Sequence, residues 1–284
     1  MKNLKQKKID KFTMNLDLED NGISRSLYHQ GAREKAFMSI LRDTVRESDI
    51  CVDLGANIGY TTLFMLDKVG PSGHVYAIEP DSHNTNILKS NIELNHFMQN
   101  TTIDTCAISD KDGTIDFWIA TQPNLNSVKK TEHSIRKEEV ACFSLTSYLQ
   151  EKKYPNFIKM DVEGHEVKIF EGALDYFADN KGRTNFLVEV HPHFYDKDND
   201  FGKILKEYFK IGFNCTAVVS TPIAQPSLYR ENGYTPDRIV HTDGFMRGIY
   251  TDIENEDMIE FTCKPHHEAG SKKIARSFMI TREK

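Results

Sequence analysis

Several features are missing from this chain of 284 residues, and each absence removes a class of function. No apolar run approaches the ~20 residues needed to cross a bilayer, so no membrane span is expected. The lysine-rich start at residues 1–11 has no apolar stretch behind it and does not read as a signal peptide. Basic charge is not in excess: 36 Lys and Arg stand against 42 Asp and Glu, a formal net charge of −6. Duplex binding leans on basic surface, so nucleic acid is not an expected partner. The five cysteines, Cys51, Cys106, Cys142, Cys215 and Cys263, contain no Cys-x-x-Cys pair. Cys51, Cys106 and Cys215 fall in predicted strands as small buried hydrophobes, and a reducing, cytoplasmic setting is expected. No internal repeat or low-complexity tract is visible. The spacing His-Glu-x-x-His is also missing, and His266-His267-Glu268 reads as a solvated loop.

What remains is ordinary for a globular domain, 39% hydrophobic and 27% charged. One segment narrows the reading. Residues 50–54 form a short β-branched apolar run, Gly55-Ala56-Asn57 can make a tight turn, and residues 60–66 have the spacing of a buried helix. Gly55 and Gly59 carry no Cβ and Asn57 tolerates left-handed dihedrals, so a ligand can approach the backbone. A helix N-terminus there offers N–H donors to an anionic group. Twenty residues after Gly59, the run His74-Val-Tyr-Ala-Ile78 ends in Glu79-Pro80-Asp81. A second parallel strand would there present a carboxylate to the two hydroxyls of a ribose. The pair describes a nucleoside pocket. The dinucleotide pattern Gly-x-Gly-x-x-Gly is absent, and Asp53 would repel a pyrophosphate. An aminoacyl nucleoside such as S-adenosylmethionine, with cationic sulfonium and ammonium groups and no phosphate, is compatible with that carboxylate.

The surrounding pattern alternates: strand 50–54, helix 59–67, strand 74–79, helix 82–95, strand 101–107. It resumes with helix 144–152, N-capped by Ser144, strand 156–161, helix 164–179, strand 184–190, helix 200–211 and strand 213–220. Such alternation predicts an α/β, doubly wound sheet with right-handed crossovers. Residues 1–12 read as a frayed tail. Strand-like pieces surround the turn Asp20-Asn-Gly22, a helix follows at 34–46, and residues 1–48 make an N-terminal cap. Residues 110–143 are a β-hairpin insertion: a turn at Lys111-Asp-Gly113, a strand at 114–120, a polar mobile stretch at 122–138 and a return strand at 140–143. Beyond the core at 49–220, residues 221–284 are expected to complete the same domain. They supply a long loop at 221–241, hairpin material at 245–252 and a last, antiparallel core strand at 275–282.

The text Val52-Asp-Leu-Gly-Ala-Asn-Ile-Gly59, then Ala77-Ile-Glu-Pro-Asp81, then Phe157-Ile-Lys-Met-Asp-Val-Glu-Gly-His-Glu166 and Gly172-Ala173 resembles the FkbM family of S-adenosylmethionine-dependent methyltransferases. The likeness runs in order from about Met14 to about Phe213, and the block from Lys159 to Glu166 is its most specific part. It implies a class I methyltransferase (Rossmann-like) fold with a mostly parallel seven-stranded sheet. It also implies methyl transfer to a hydroxyl of a sugar, glycan precursor or natural product. Transfer to nitrogen of an amino sugar or peptide, and a nucleoside-binding scaffold that has lost turnover, are the alternatives. No Asn/Asp-Pro-Pro-Tyr motif supports base methylation.

Ligands of open α/β sheets bind beyond the carboxyl ends of the strands. For the cofactor, Glu79 is expected to hold the ribose, Pro80 and Ile108 beside Ala107 to enclose the adenine, and the backbone from Asn57 to Gly59 to meet the amino-acid end, with Gly55, Ala56 and Asp161 also bordering the cofactor. Asp53 is expected to pair with its ammonium. By the resemblance, Asp161, which ends the fourth strand, belongs at the reaction centre. A hydroxyl is a poor nucleophile near neutral pH, so a base, or a metal that lowers the hydroxyl pKa, is needed. Glu163, Glu189 and His191 are the candidates, His191 because imidazole titrates in the right range. His165 and His193 stand nearby, and Glu163 has a second reading as a helix cap. By the resemblance, the cap segment lies over the cofactor, with Tyr28, His29, Arg33 and Glu34 in its roof. Asp161 and Glu189 could hold a magnesium-like ion with water and substrate oxygens, but the spacing does not require it and it is not the favoured reading. The small-molecule or glycan acceptor would lie between the cap, the 110–143 excursion and the 221–250 loop.

Overall fold

The computed structural model describes residues 4–122, 125–222, 227–264 and 274–283. The chain opens with an antiparallel hairpin, β1 (Leu4–Ile9) and β2 (Phe12–Asp17), followed by α1 (Ile23–Gln30) and α2 (Lys35–Thr44). A hairpin replaces the expected frayed tail. Lys5, Lys7 and Lys8 sit on β1, an outer strand on which lysine blunts the open edge. On β2, Phe12, Met14 and Leu16 alternate inward.

The core begins with β3 (Ile50–Leu54), buried along its whole length, then α3 (Tyr60–Val69), β4 (His74–Ile78), α4 (Ser82–Leu94) and β5 (Thr101–Asp104). Asp81 caps α4 by accepting from the His83 N–H at 2.8 Å. Two asparagines on α4 tie the hairpin down: the Asn15 N–H donates to Asn91 Oδ1 at 2.6 Å and the Thr13 N–H to Asn95 Oδ1 at 3.1 Å. The strand expected at 101–107 breaks after Asp104. Its continuation, β6 (Ala107–Ser109), turns out of the sheet to pair with β8 (Ser134–Ser144), which also pairs with β7 (Gly113–Ala120). This three-stranded sheet is the predicted excursion. Its return strand is longer than expected, and Ser127 is held in a bridge to Trp118, so the stretch read as mobile is partly ordered.

The alternation resumes with α5 (Leu145–Leu149), β9 (Phe157–Met160), α6 (Glu166–Asp179), β10 (Thr184–Glu189), α7 (Phe201–Lys210) and β11 (Asn214–Pro222). Ser144 caps α5, accepting from the Ser147 N–H at 3.0 Å, as its sequence position predicts. On α7, Phe201, Ile204, Leu205 and Tyr208 recur on one buried face. The chain ends with α8 (Ser227–Glu231), β12 (Arg238–Thr242), β13 (Phe245–Tyr250), α9 (Asn255–Cys263) and β14 (Ala275–Arg282).

The sheet order is β12-β13-β11-β14-β10-β9-β3-β4-β5. The parallel strands β5, β4, β3, β9 and β10, with β14 antiparallel between β10 and β11, make the seven expected. Two further strands bring the count to nine because the hairpin β12–β13 pairs onto β11 rather than standing apart. Residues 245–252 and 275–282 thus take the places assigned to them. The loop expected at 221–241 holds α8 and β12 instead. Among the described residues, no helix is long and apolar enough to cross a membrane.

The strand order reverses between β3 and β9, and there the glycine turn meets its neighbours. Gly55 has φ +74°, and a Cβ on it would lie 2.0 Å from the Asp161 carbonyl oxygen. Gly59 has φ +87°, but its Cβ would meet only the end of the Leu88 side chain at 2.6 Å. Gly55→Ala is expected to lower stability by about 3 kcal/mol, from the left-handed dihedral and an overlap with backbone that cannot relax. Gly59→Ala should cost about half as much, because a leucine tip can turn away. Urea denaturation of the two variants checks that order.

Candidate functional site

A cleft of about 1130 Å³, open mouth included, lies beyond the carboxyl ends of β3, β4, β9 and β10. The turn after β3 forms its floor. The Gly55 and Ala56 N–H groups both donate to the Ile78 carbonyl, at 3.1 and 3.0 Å, and the Asp161 N–H donates to the Leu54 carbonyl at 3.1 Å. Asn57 has φ +49°. Its N–H donates to Glu79 Oε2, while its own side chain accepts from the Ile58 N–H, both at 2.9 Å. The Gly59 N–H donates to the Ala56 carbonyl at 2.9 Å. These donors are therefore turned inward, contrary to the expectation that they meet a ligand. Gly59 does not line the cleft; it lets α3 start against Leu88.

Asp53 also sits differently from its expected place. It is fully buried beneath the floor, with Oδ1 3.1 Å from Lys159 Nζ and Oδ2 accepting from the Thr62 hydroxyl at 2.7 Å. The lysine ammonium takes the position expected for a ligand's ammonium. Lys159 Nζ further donates to the carbonyls of Gly55 at 2.7 Å and Leu54 at 3.3 Å, and it lines the cleft. Burial works against its charge, but Asp53 and Asp161 outweigh it and hold the amine above its usual value. Sequence reasoning gave Lys159 no role, although a lysine inside an otherwise apolar strand signals a buried carboxylate partner.

At the end of β4, Glu79 lines the cleft with both oxygens held. Oε2 accepts from Asn57, and Oε1 accepts from the Asp81 N–H at 3.0 Å. Burial pushes its carboxyl up to about 7 against those two N–H bonds. Oε1 accepts a second bond from Asn84 Nδ2 at 3.5 Å, so Oε2 is the oxygen that keeps a lone pair for a further donor. Ile78, Pro80, Ala107, Ile108 and Phe117 supply an apolar wall beside it, as a planar base requires. The excursion closes this end: Asn126 Nδ2 donates to Asp81 Oδ2, and the Ser127 hydroxyl to the Glu163 carbonyl, both at 2.8 Å.

The other end is crowded with charge. Asp161, Glu163, His165 and Glu189 line it with Arg276 of β14, a cation that only the long-range insertion of that strand brings here. Asp161 Oδ1 is buried without a hydrogen-bond partner. Glu189 lies 2.9 Å from Arg276 Nη2, which also reaches Glu34 at 3.2 Å. Glu163 has φ +48°, a strained position for a residue with a side chain. Burial, and then Asp161, Glu189 and Glu166 against the His191 charge, push its carboxyl up to about 8. The helix-cap reading of Glu163 does not hold. Glu166 occupies the first turn of α6 and accepts from the Gly164 N–H at 3.1 Å.

His191 does not line the cleft and is not a free base. Its Nδ1 donates to Glu166 Oε1 at 2.6 Å, and its Nε2 lies 3.3 Å from Glu163 and 3.8 Å from Glu189. Burial opposes its charge, but Glu166 and Glu163 outweigh it and lift the imidazole to about 9. Asp161, Glu163 and His191 bring ligand atoms within 4.8 Å of one another. An ion there would need His191 neutral at Nε2, against the charge these carboxylates confer. His165, sharing a 2.7 Å hydrogen bond with Ser109 Oγ, is held neutral by burial, down at about 4. His193 is exposed at the side of the site.

In the roof, Arg33 and Glu34 line the cleft as expected, joined by Ile23, while Tyr28 and His29 do not. No described residue of 221–250 lines it. The hairpin β12–β13 instead braces the roof: the Lys35 N–H donates to Thr242 Oγ1 at 2.8 Å and the Glu34 N–H to Asp243 Oδ1 at 3.2 Å. His266, His267 and Glu268 lie outside the described residues.

Residues 53–215, more than half of the chain, match the family model described as the methyltransferase FkbM domain. Among solved structures, the methyltransferase FkbM of Methylobacillus flagellatus is 18% identical, with 72% of this chain covered and a TM-score of 0.41; this chain spans 43% of that one. TYW2 of M. jannaschii, in complex with AdoMet, is 13% identical over 99% of this chain and 88% of its own, with a TM-score of 0.46. An O-methyltransferase of Bacillus cereus, in complex with SAH, is 12% identical over 88% and 80%, with a TM-score of 0.42. No curated protein matches the chain.

Removing one partner of the buried Asp53–Lys159 pair leaves the other charge without compensation. Lys159→Met is therefore expected to cost about 3–5 kcal/mol, and Asp53→Leu combined with Lys159→Met distinctly less than the sum of the single changes. Denaturant titration of the double-mutant cycle measures this. Additive losses would show that the pair does not hold the turn.

Proposed function

Because the chain belongs to the FkbM methyltransferase family, we propose that it transfers the methyl group of S-adenosylmethionine to a hydroxyl of a sugar, a glycan precursor or another small polyol-bearing acceptor. The donor set fits such a cofactor: a carboxylate with a spare lone pair at Glu79 Oε2 for a ribose hydroxyl, and an apolar wall at Pro80 and Ile108 for a base. Asp161, whose buried Oδ1 has no hydrogen-bond partner, supplies negative charge for the cationic end. When bound, S-adenosylmethionine supplies a methyl carbon made electrophilic by the sulfonium charge. The setting we propose is the cytoplasm, in keeping with five unpaired cysteines.

The observation that carries the hydroxyl reading is Glu163, a carboxylate at the cleft wall with its carboxyl raised to about 8. A hydroxyl oxygen gains a methyl group only if its proton leaves, and a carboxylate of raised basicity is suited to take it. Glu163 accepts that proton and releases it to solvent after turnover. Glu189 is instead engaged in an ion pair with Arg276 at 2.9 Å. Asp161 and the walls hold the acceptor in line, and positioning provides most of the rate enhancement.

With S-adenosylmethionine labelled in the methyl group and a panel of sugar and amino-sugar acceptors, the product should be an ether. A product methylated on nitrogen would contradict the reading. The rate should rise with pH through about 8, because the proton acceptor must be ionised. Glu163→Gln should remove that rise and lower kcat by roughly 10²–10⁴-fold.

A further inference from the structure

Behind the cleft wall lies a chain of polar groups that touches no ligand space and has no part in the chemistry above. Glu166 has no exposed surface and His191 is 4% exposed, yet both carry charge. Glu166 Oε2 accepts from the Tyr195 hydroxyl at 3.2 Å, and its Oε1 accepts from the Gly164 N–H at 3.1 Å. The same Oε1 accepts from His191 Nδ1 at 2.6 Å. The His191 N–H in turn donates to the Tyr195 oxygen at 3.1 Å, closing a ring around the carboxylate. His191 Nε2 then points out of this ring to Glu163 Oε2, 3.3 Å away. Burying a charged pair is costly, and apolar residues of similar volume are often no less stable. Its position, one ion-pair contact behind a cleft carboxylate, gives it a use.

The groups facing Glu163 come from every element around it. Asp161 follows β9 on the same turn, Glu166 opens α6, and Glu189 ends β10; all three oppose its ionisation. Two other cations lie near. Arg276 of β14 is engaged by Glu189 and Glu34, and Lys159 of β9 by Asp53. His191 is the cation in contact, and it stays one because Glu166 holds its other nitrogen.

We propose that Glu166, supported by Tyr195, holds His191 as an imidazolium whose ion pair with Glu163 favours the ionised form of that carboxyl, making Glu166 and His191 positioning residues for proton removal from the acceptor. This role rests on Glu163 being the proton acceptor. No covalent step is added: the proton of the acceptor hydroxyl passes to Glu163, while His191 keeps both of its own.

The test uses the free protein, with carboxyl-labelled glutamate and ring-labelled histidine followed by NMR across pH. Loss of one signal in Glu163→Gln assigns the carboxyl, and loss of one in His191→Gln assigns the ring. In the wild type, the His191 ring should stay doubly protonated at pH 8. In His191→Gln, the Glu163 carboxyl should titrate at least one pH unit higher, a tenfold change. Unchanged affinity for S-adenosylhomocysteine would show that this variant is folded. A wild-type His191 titrating near 6.5 overturns the proposal without any variant, as does a Glu163 titration unmoved by His191→Gln. An activity abolished by a chelator and restored by a divalent ion also overturns it, since His191 would then be a ligand. If instead Glu163→Gln keeps full activity while both titrations behave as stated, the base assignment fails and the electrostatic coupling stands.

Discussion

A lysine in the middle of a buried parallel strand must find a carboxylate, and the site depends on how Lys159 does so. Its partner, Asp53, lies directly opposite on β3 in the register that pairs the two strands. The ammonium also takes the carbonyls of Leu54 and Gly55, so the strand ends and the turn between them are fixed by one cation. The turn cannot move away from Asp161, whose carbonyl leaves room only for a glycine at position 55. A floor this constrained keeps Glu79 on one side of the cleft and Asp161 on the other, with no loop needed to hold them.

The same physics, repeated with less complete pairing, organises the reacting end. Asp161, Glu163 and Glu189 share a small volume with Arg276 and the charge on His191. At the floor, charge is matched one to one and the result is rigidity. At the reacting end, carboxylates outnumber the cations in contact with them, and one carboxyl is raised to about 8. Glu163 also sits at a left-handed backbone angle, and such strain persists only where the surroundings over-determine it.

Much of this was legible in the sequence, for reasons that residues make plain. The run at 50–54 with Gly55 behind it, and the run ending at Glu79, are short-range patterns, and both elements form where expected. The N-terminal hairpin was hidden because lysines on an outer strand look like a solvated tail. The strand after 101 was overrun because nothing in its local pattern marks the exit of β6 into a second sheet. Long-range pairings were the least visible: Glu166 reads as an ordinary first-turn acid, and its partner His191 lies in the loop after β10. Arg276 enters the cleft only because β14 inserts between β10 and β11. Asp53 reads from the sequence as a ligand's partner at its strand end, since the sequence alone does not say that Lys159 reaches it first.

The most direct test of the account is calorimetric titration with S-adenosylhomocysteine, of the wild-type protein and of a Glu79→Ala variant that retains the wild-type thermal transition. The account predicts binding to the wild type and its loss in the variant, because Glu79 is the carboxylate placed to hold a ribose. No binding to the wild type, or equal binding to both proteins, would contradict it.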